Sequence, residues 1–385
     1  AGLMFFVRKY IATGAYTEAI GELNKIFNVQ PDYLPALRLN YRAQRALGNA
    51  TPAIERAQAQ LAQNNRNNAI RMLLAEAYLL EGQNQQALDV IAAADLPPEN
   101  WPETFWLVQL QSQINLKARD DAESTLQNWA KFSPTSERAW LRNVDFHDKL
   151  RDNDAALRAA QKGLVHIPSS LKLRLVEANF LSLTGQANDA QQSLNQLPQE
   201  VQSVPFAKRI QGHIFYANRD FKRALPLLLA GYEALPEQRN VTLVYTTYKA
   251  LNQVKQGKAF LTQHIDANPN DTLTRVMLAN ESIISEPSIA KAQYLSVVEQ
   301  DDSNIIALNN LAYLYLQDNE LEQADKIATK AVATAPQNPQ VLDTAGAVKI
   351  ALGEKQAALS ILEKARRLAP NSLSIEQNYK KAQAM

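Results

Sequence analysis

The chain has 385 residues, 46% of them hydrophobic and 21% charged, enough apolar material for a substantial core. Lysine and arginine (40) nearly balance aspartate and glutamate (39), so the net charge of +1 implies neither a general nucleic-acid surface nor an anionic-membrane surface. The absence of cysteine excludes disulfides, thiol catalysis and cysteine-ligated metals, without fixing the compartment.

The opening segment, AGLMFFVRKYIATG, begins inside an apolar periodic stretch with no N-cap candidate before it. We expect part of the parent protein to lie upstream of it, where a signal or lipid anchor would not be seen. Further along, no apolar run approaches the length of a membrane span. Small residues then recur in phase through the whole chain, at Ala19, Ala53, Ala87, Ala122, Ala156, Ala190, Ala224, Gly257, Ala290, Ala324 and Ala358, in steps of 33 to 35. Prolines 31, 134, 168, 236, 269, 336 and 370 each follow the small residue by twelve positions, and glycines 14, 48, 82, 185 and 353 each precede it by five. Trp106 and Trp140 are also 34 apart. The spacing predicts helix–turn–helix units, with glycine at the turn and proline after the second helix, where its missing N–H halts the helix.

This pattern resembles the tetratricopeptide repeat, a 34-residue helix hairpin with small residues at positions 8 and 20, alanine at 27 and proline at 32. The repeat starting at 305 carries it as Leu308, Leu311, Ala312, Tyr315, Ala324, Ala331 and Pro336. The repeat starting at 339 carries it as Leu342, Gly346, Ala358, Leu362, Ala365 and Pro370. The expected fold is an all-α, right-handed solenoid of eleven repeats. They run about 1–33, 34–67, 68–102, 103–136, 137–170, 171–204, 205–237, 238–270, 271–304, 305–338 and 339–370, and a capping helix follows in 371–385. Small side chains at 8 and 20 let the paired helices cross closely, and stacking supplies the core that no single repeat has.

No constellation for catalysis stands out. Walker, dinucleotide and nucleophile-elbow motifs are missing, and His147, His166, His213 and His264 are scattered. The polar run DFHDK, Asp145 to Lys149, reads as a solvated helix face, and Trp106 and Trp140, at position 4, read as core. We therefore expect no enzyme, no cofactor and no metal.

The resemblance implies instead a concave groove lined by the first helices at positions 2, 5, 9, 12 and 13, holding a protein or peptide partner. Carried onto this sequence, those positions give Arg8, then Arg38, Arg42 and Arg45 at i, i+4, i+7 on one helix face, with Glu76 as their counter-charge. This stripe is either an internal salt network or a patch for carboxylates and acidic peptide. The remaining groove candidates are Asn179, Arg209, His213, Tyr216, Thr242, Thr246, Lys249, Arg275, Asn309 and Tyr313. The basic clamp that some relatives use for chaperone tails is not matched, because Ala279 and Tyr313 occupy position 9 where it needs asparagine.

Residues Asn309 to Ala312, Tyr315, Asn338, Pro339, Val341 to Thr344 and Gly346 are also similar to the TPR lipoproteins of exosortase (PEP-CTERM) exopolysaccharide systems. That likeness implies a bacterial periplasmic or envelope-associated scaffold whose partners are polysaccharide-export or protein-sorting components. A cytoplasmic adaptor or regulator, and the recognition array of a larger glycosyltransferase-type enzyme, stay open beside it.

Overall fold

A computed structural model describes residues 2–385. Those residues form twenty-four α-helices and one short 3-10 turn, with no strand among them. They separate into two compact units, one ending at Gln186 and the other starting at Ala187.

In the first unit, α1 (Gly2–Ala12) pairs with α2 (Tyr16–Phe27), and α3 (Leu34–Ala46) with α4 (Thr51–Gln63). Next come α5 (Asn68–Leu80) and α6 (Asn84–Ala92), the 3-10 turn Pro98–Asn100, then α7 (Glu103–Asn115) and α8 (Arg119–Phe132). The pair α9 (Glu137–Lys149) and α10 (Asn153–His166) follows, and α11 (Leu171–Leu183) is the last helix of this unit. The second unit opens with α12 (Ala187–Asn195) and the one-turn α13 (Gln199–Gln202). Its hairpins begin with α14 (Pro205–Ala217) and α15 (Phe221–Ala234), then α16 (Gln238–Ala250) and α17 (Val254–Ala267). After them stand α18 (Thr272–Ser282) with α19 (Pro287–Gln300), and α20 (Ile305–Gln317) with α21 (Leu321–Thr334). The last pair is α22 (Pro339–Ala351) and α23 (Lys355–Leu368), covered by α24 (Leu373–Ala384). The division at Gln186 falls inside the stretch read from sequence as the sixth repeat, which had carried no such break.

The turn chemistry is regular. Gly14, Gly48, Gly82, Gly185 and Gly353 have φ between 73° and 83°, the left-handed conformation that closes each hairpin. Lys117, Arg151, Arg219, Asn252 and Asn319 occupy the equivalent position in five other hairpins with φ between 56° and 60°. There a Cβ is tolerated at a cost that helix packing on both sides offsets. Helix starts are capped by short polar side chains. Ser136, Asp152, Ser170, Asp220, Asp271 and Asn304 each accept from the backbone N–H three residues on.

Each phased small residue is enclosed, as close helix crossing requires. Position 20 of the eighth hairpin shows why glycine replaces alanine there. Its partner at position 8 is Tyr245, and a Cβ on Gly257 would stand 3.1 Å from that ring. A tryptophan at Ala156, whose side chain has no exposed surface, is expected to destabilise the fold by about 1–3 kcal/mol through overpacking. Thermal unfolding of Ala156→Trp beside the parent measures this, and coincident melts would remove the crossing assigned to this residue.

Within each unit successive helices pack on one another, save that α12 packs past the one-turn α13 onto α14, and first helices of neighbouring hairpins also meet, as in α5 with α7 and α20 with α22. Second helices stand further apart, so the first helices form the inner side of each stack. At the end of the second unit, α24 buries Ile375 against Leu342 and Ala365, and Ala382 against Ala358 and Leu362, while most of its other side chains remain in solvent. Among the described residues no helix is long and apolar enough to cross a membrane.

Candidate functional site

The first helices of the first unit carry a cavity of about 380 Å³ between α7 and α9. Leu107, Val108, Leu110 and Ile114 of α7 form one wall, and Leu79 of α5 reaches it from one side. Phe146 of α9 and Leu150 just beyond it form the other wall. Helical spacing explains the arrangement: Leu107, Leu110, Gln111 and Ile114 follow one another at i, i+3, i+4 and i+7, one stripe along α7. The floor continues into the core, because Leu110 and Phe146 pack with Ala122 and Leu126. The rim stays open, with Ile114 40% and Leu150 38% exposed.

Charge is confined to that rim. Asp145 lies 3.0 Å from Lys149 Nζ and 3.8 Å from an Arg142 terminal nitrogen. All three side chains are close to half exposed or more, so these pairs add little stability and are free to exchange for charges on a ligand. An apolar cleft with a few polar groups at its mouth is the kind of place where a partner's large aliphatic or aromatic side chain seats.

The residues singled out from sequence fall into three groups. Arg8, Arg38 and Arg42 are exposed on the first helices. Arg45 pairs with Glu81 at 2.9 Å and donates to the Leu80 carbonyl. Glu81 therefore supplies the counter-charge expected of Glu76. It sits at the C-terminal end of α5, within reach of position 12 on α3, and is held there by Tyr41, whose hydroxyl donates to it at 2.8 Å.

A second group, Tyr313 apart, is engaged by contacts within the second unit. Lys249 pairs with Glu281 at 2.8 Å. Arg275 donates to the Pro269 carbonyl at 3.0 Å and to Gln293 at 2.7 Å. Thr242 and Thr246 donate back to their own helix, Asn309 donates to Asn310, and Tyr216 meets Phe221 edge-on. Tyr313 is 44% exposed.

The third group corrects the reading. Asn179, Arg209 and His213 do not line an open groove; all three are buried. Gly231 on α15 is the cause at Arg209, since a Cβ there would stand 2.7 Å from Arg209 Cβ. Without it the arginine stem lies directly on α15, with the guanidinium over the Phe206 ring. His213 is pushed down to about 3 by burial, reinforced by the charges of Arg209 and Arg239. It is neutral at ordinary pH and does not titrate as a groove histidine would.

The apolar cavity is invisible to a search for polar groups at positions 2, 5, 9, 12 and 13. Leu107 and Ile114 sit at positions 5 and 12, where their apolar side chains offer no polar group to single out. The available signal is that 5 and 12 are groove positions, so large apolar residues there mark an apolar stretch of the groove.

Residues 305–338, which hold α20 and α21, match the family model for the tetratricopeptide repeat. The hairpin of α20 and α21 is thus a tetratricopeptide helix pair. No curated protein sequence matches the chain. Three solved structures are similar to it. The APC/C hetero-tetramer Cut9–Hcn1 shares 12% identity with a TM-score of 0.33, over 99% of this chain and 95% of that one. MamA shares 15% identity with a TM-score of 0.38, over 43% of this chain and 92% of that one. YrrB, described as a TPR protein with an unusual peptide-binding site, shares 21% identity with a TM-score of 0.38, over 48% of this chain and 97% of that one.

Proposed function

We propose that this chain is a non-catalytic interaction scaffold that binds a segment of a partner protein along its first helices, with an apolar side chain of that segment seated between α7 and α9. The cavity carries this reading: it is apolar inside, open at the rim, and placed on the inner side of the stack. Peptides selected by display against the chain are expected to be rich in aromatic or large aliphatic residues. Their affinity is expected to fall roughly tenfold or more in a Leu107→Asp/Ile114→Asp variant, the effect of filling an anchor pocket with charge. Ile114→Lys, at an exposed rim position, serves as the milder second variant, with circular dichroism checking that both stay helical. Selected peptides that bind parent and variants alike would remove the cavity from the site.

The partner is proposed to belong to a bacterial envelope system for exopolysaccharide export or protein sorting, with the chain periplasmic or envelope-associated. The support is the run from Asn309 to Gly346 whose likeness to exosortase-system TPR lipoproteins was set out above. Use of the chain as bait against envelope and cytosolic fractions decides it. Capture of export components from the envelope is the expected result, and capture from cytosol alone would replace this reading with the cytoplasmic adaptor.

A further inference from the structure

We propose a second interaction site in the first unit, a cationic cleft between the second helices α8 and α10 that takes an acidic peptide segment. The cleft has a volume of about 740 Å³ and lies on the side of the hairpins away from the apolar cavity. Its origin is steric. Both α8 and α10 pack on α9, and the residues facing the gap are small, Ala130 on α8 with Ala155 and Ala159 on α10. Nothing large fills the space above Trp140, whose ring is fixed by an Nε1–H bond to the Pro134 carbonyl at 2.8 Å and by stacking on His166.

The walls are positive. Lys131 stands on α8, and Arg158 and Lys162 stand on α10 a single helical turn apart. His147 and His166 complete the lining on that side, and Glu123 is the one carboxylate among the lining residues. Arg158 and Lys162 are exposed and form no ion pair with the described residues, and Lys131 rests only against the Phe132 ring. Like charges at this spacing repel, so the arrangement is unfavourable until an anion arrives.

The second unit shows the contrast. There, three lysines of the second helices are answered by carboxylates of a neighbouring hairpin, Lys258 by Glu286, Lys291 by Asp318 and Glu320, and Lys330 by Asp302, while Lys222, Lys255, Lys326 and Lys364 form no ion pair with the described residues. The same surface in the first unit lacks that answer.

An acidic peptide fits better than a nucleic acid. Three cations flank an alanine and tryptophan floor, which suits alternating acidic and apolar side chains, and Gln127 and Asn143 offer amides to a peptide backbone. A phosphate backbone requires a longer basic track, and the chain as a whole is nearly neutral.

The test uses a fluorescein-labelled peptide that alternates glutamate and leucine, followed by anisotropy against the full chain. Parent protein is expected to bind it, and Arg158→Glu/Lys162→Glu is expected to weaken binding roughly tenfold, with added salt doing the same. Both substituted side chains are exposed, and circular dichroism checks that the variant remains folded. Absence of binding to the parent, equal binding by the variant, equal binding of a lysine–leucine peptide, or stronger displacement by a single-stranded oligonucleotide would each overturn the proposal. The cavity between α7 and α9 is read with different peptides on another face, so either result stands without the other.

Discussion

Gly346→Leu is expected to lower the stability of the second unit by about 3 kcal/mol, more than any surface change in the chain. A Cβ added at this position would stand 2.4 Å from Leu362 Cγ and 2.5 Å from its Cδ2. Leu362 has no exposed surface and sits against Ala358 and Ala382, so it has nowhere to swing. The two residues are positions 8 and 24 of the same hairpin, and the pairing is compensated elsewhere: Gly212 faces Leu228, whereas Ala312 faces Ala328. Volume at the crossing is thus shared between two helices, with one side giving up what the other takes. Leu362→Ala alone leaves a cavity and is expected to cost about 2–5 kcal/mol. Gly346→Ala combined with Leu362→Ala recreates the alanine pair of the preceding hairpin and is expected to lose less than the two single changes summed. Urea unfolding of the four proteins reads this directly, with two probes because repeat arrays depart from two-state behaviour. Strict additivity would show that the two positions do not share a crossing.

The helical repeat was legible because its constraint is steric and periodic. A small residue at every crossing and a glycine or proline at fixed offsets leave marks that no surface substitution erases. Three of the ten left-handed turn residues were not legible, since Lys117, Arg151 and Arg219 carry no local propensity for that conformation. Tertiary packing imposes it on them. The division at Gln186 left no mark in the small-residue phase, which runs through it unbroken.

Groove residues are less legible for a related reason. Position in the repeat decides which way a Cβ points, but depth depends on how closely the neighbouring helix comes. At Arg209 the decisive residue is Gly231, twenty-two positions away, and a position rule applied to α14 alone does not see it. Arg275 shows the same limit, because its guanidinium goes to the carbonyl of Pro269. Trp140 uses its indole N–H in the same manner on Pro134. A loop carbonyl left without a helical partner recruits the nearest long donor on the next helix, and that claim on the side chain comes before any ligand.

Asp271→Ala is the second large loss expected, about 3 kcal/mol, and its dependence on pH identifies the cause. Asp271 caps α18 by accepting from Thr274 N–H at 3.0 Å, and it also accepts the Thr274 hydroxyl at 2.7 Å. It faces His264 Nε2 at 2.9 Å, while His264 Nδ1 lies 2.8 Å from the Tyr232 hydroxyl. With Nε2–H donating to the carboxylate, Nδ1 accepts from tyrosine, a tautomer assigned from the network. Removal of the carboxylate strips the cap, worth about 1 kcal/mol, and leaves the buried His264 Nε2–H donor unsatisfied at about 1–3 kcal/mol, while the Thr274 hydroxyl keeps Gln238 as a partner. Burial alone would raise the Asp271 pKa, but the hydrogen bonds from Thr274 and His264 outweigh it and the net shift is downward. Its folded pKa thus lies below the unfolded value of about 3.9. The stabilisation is fully present above that value and is lost as pH falls through the folded pKa. The gap in stability between parent and Asp271→Ala is therefore expected to be widest near neutral pH and to narrow below about pH 4. A gap that stays constant down to about pH 2 would mean the carboxylate's charge contributes nothing, and that the loss comes from packing at the start of α18.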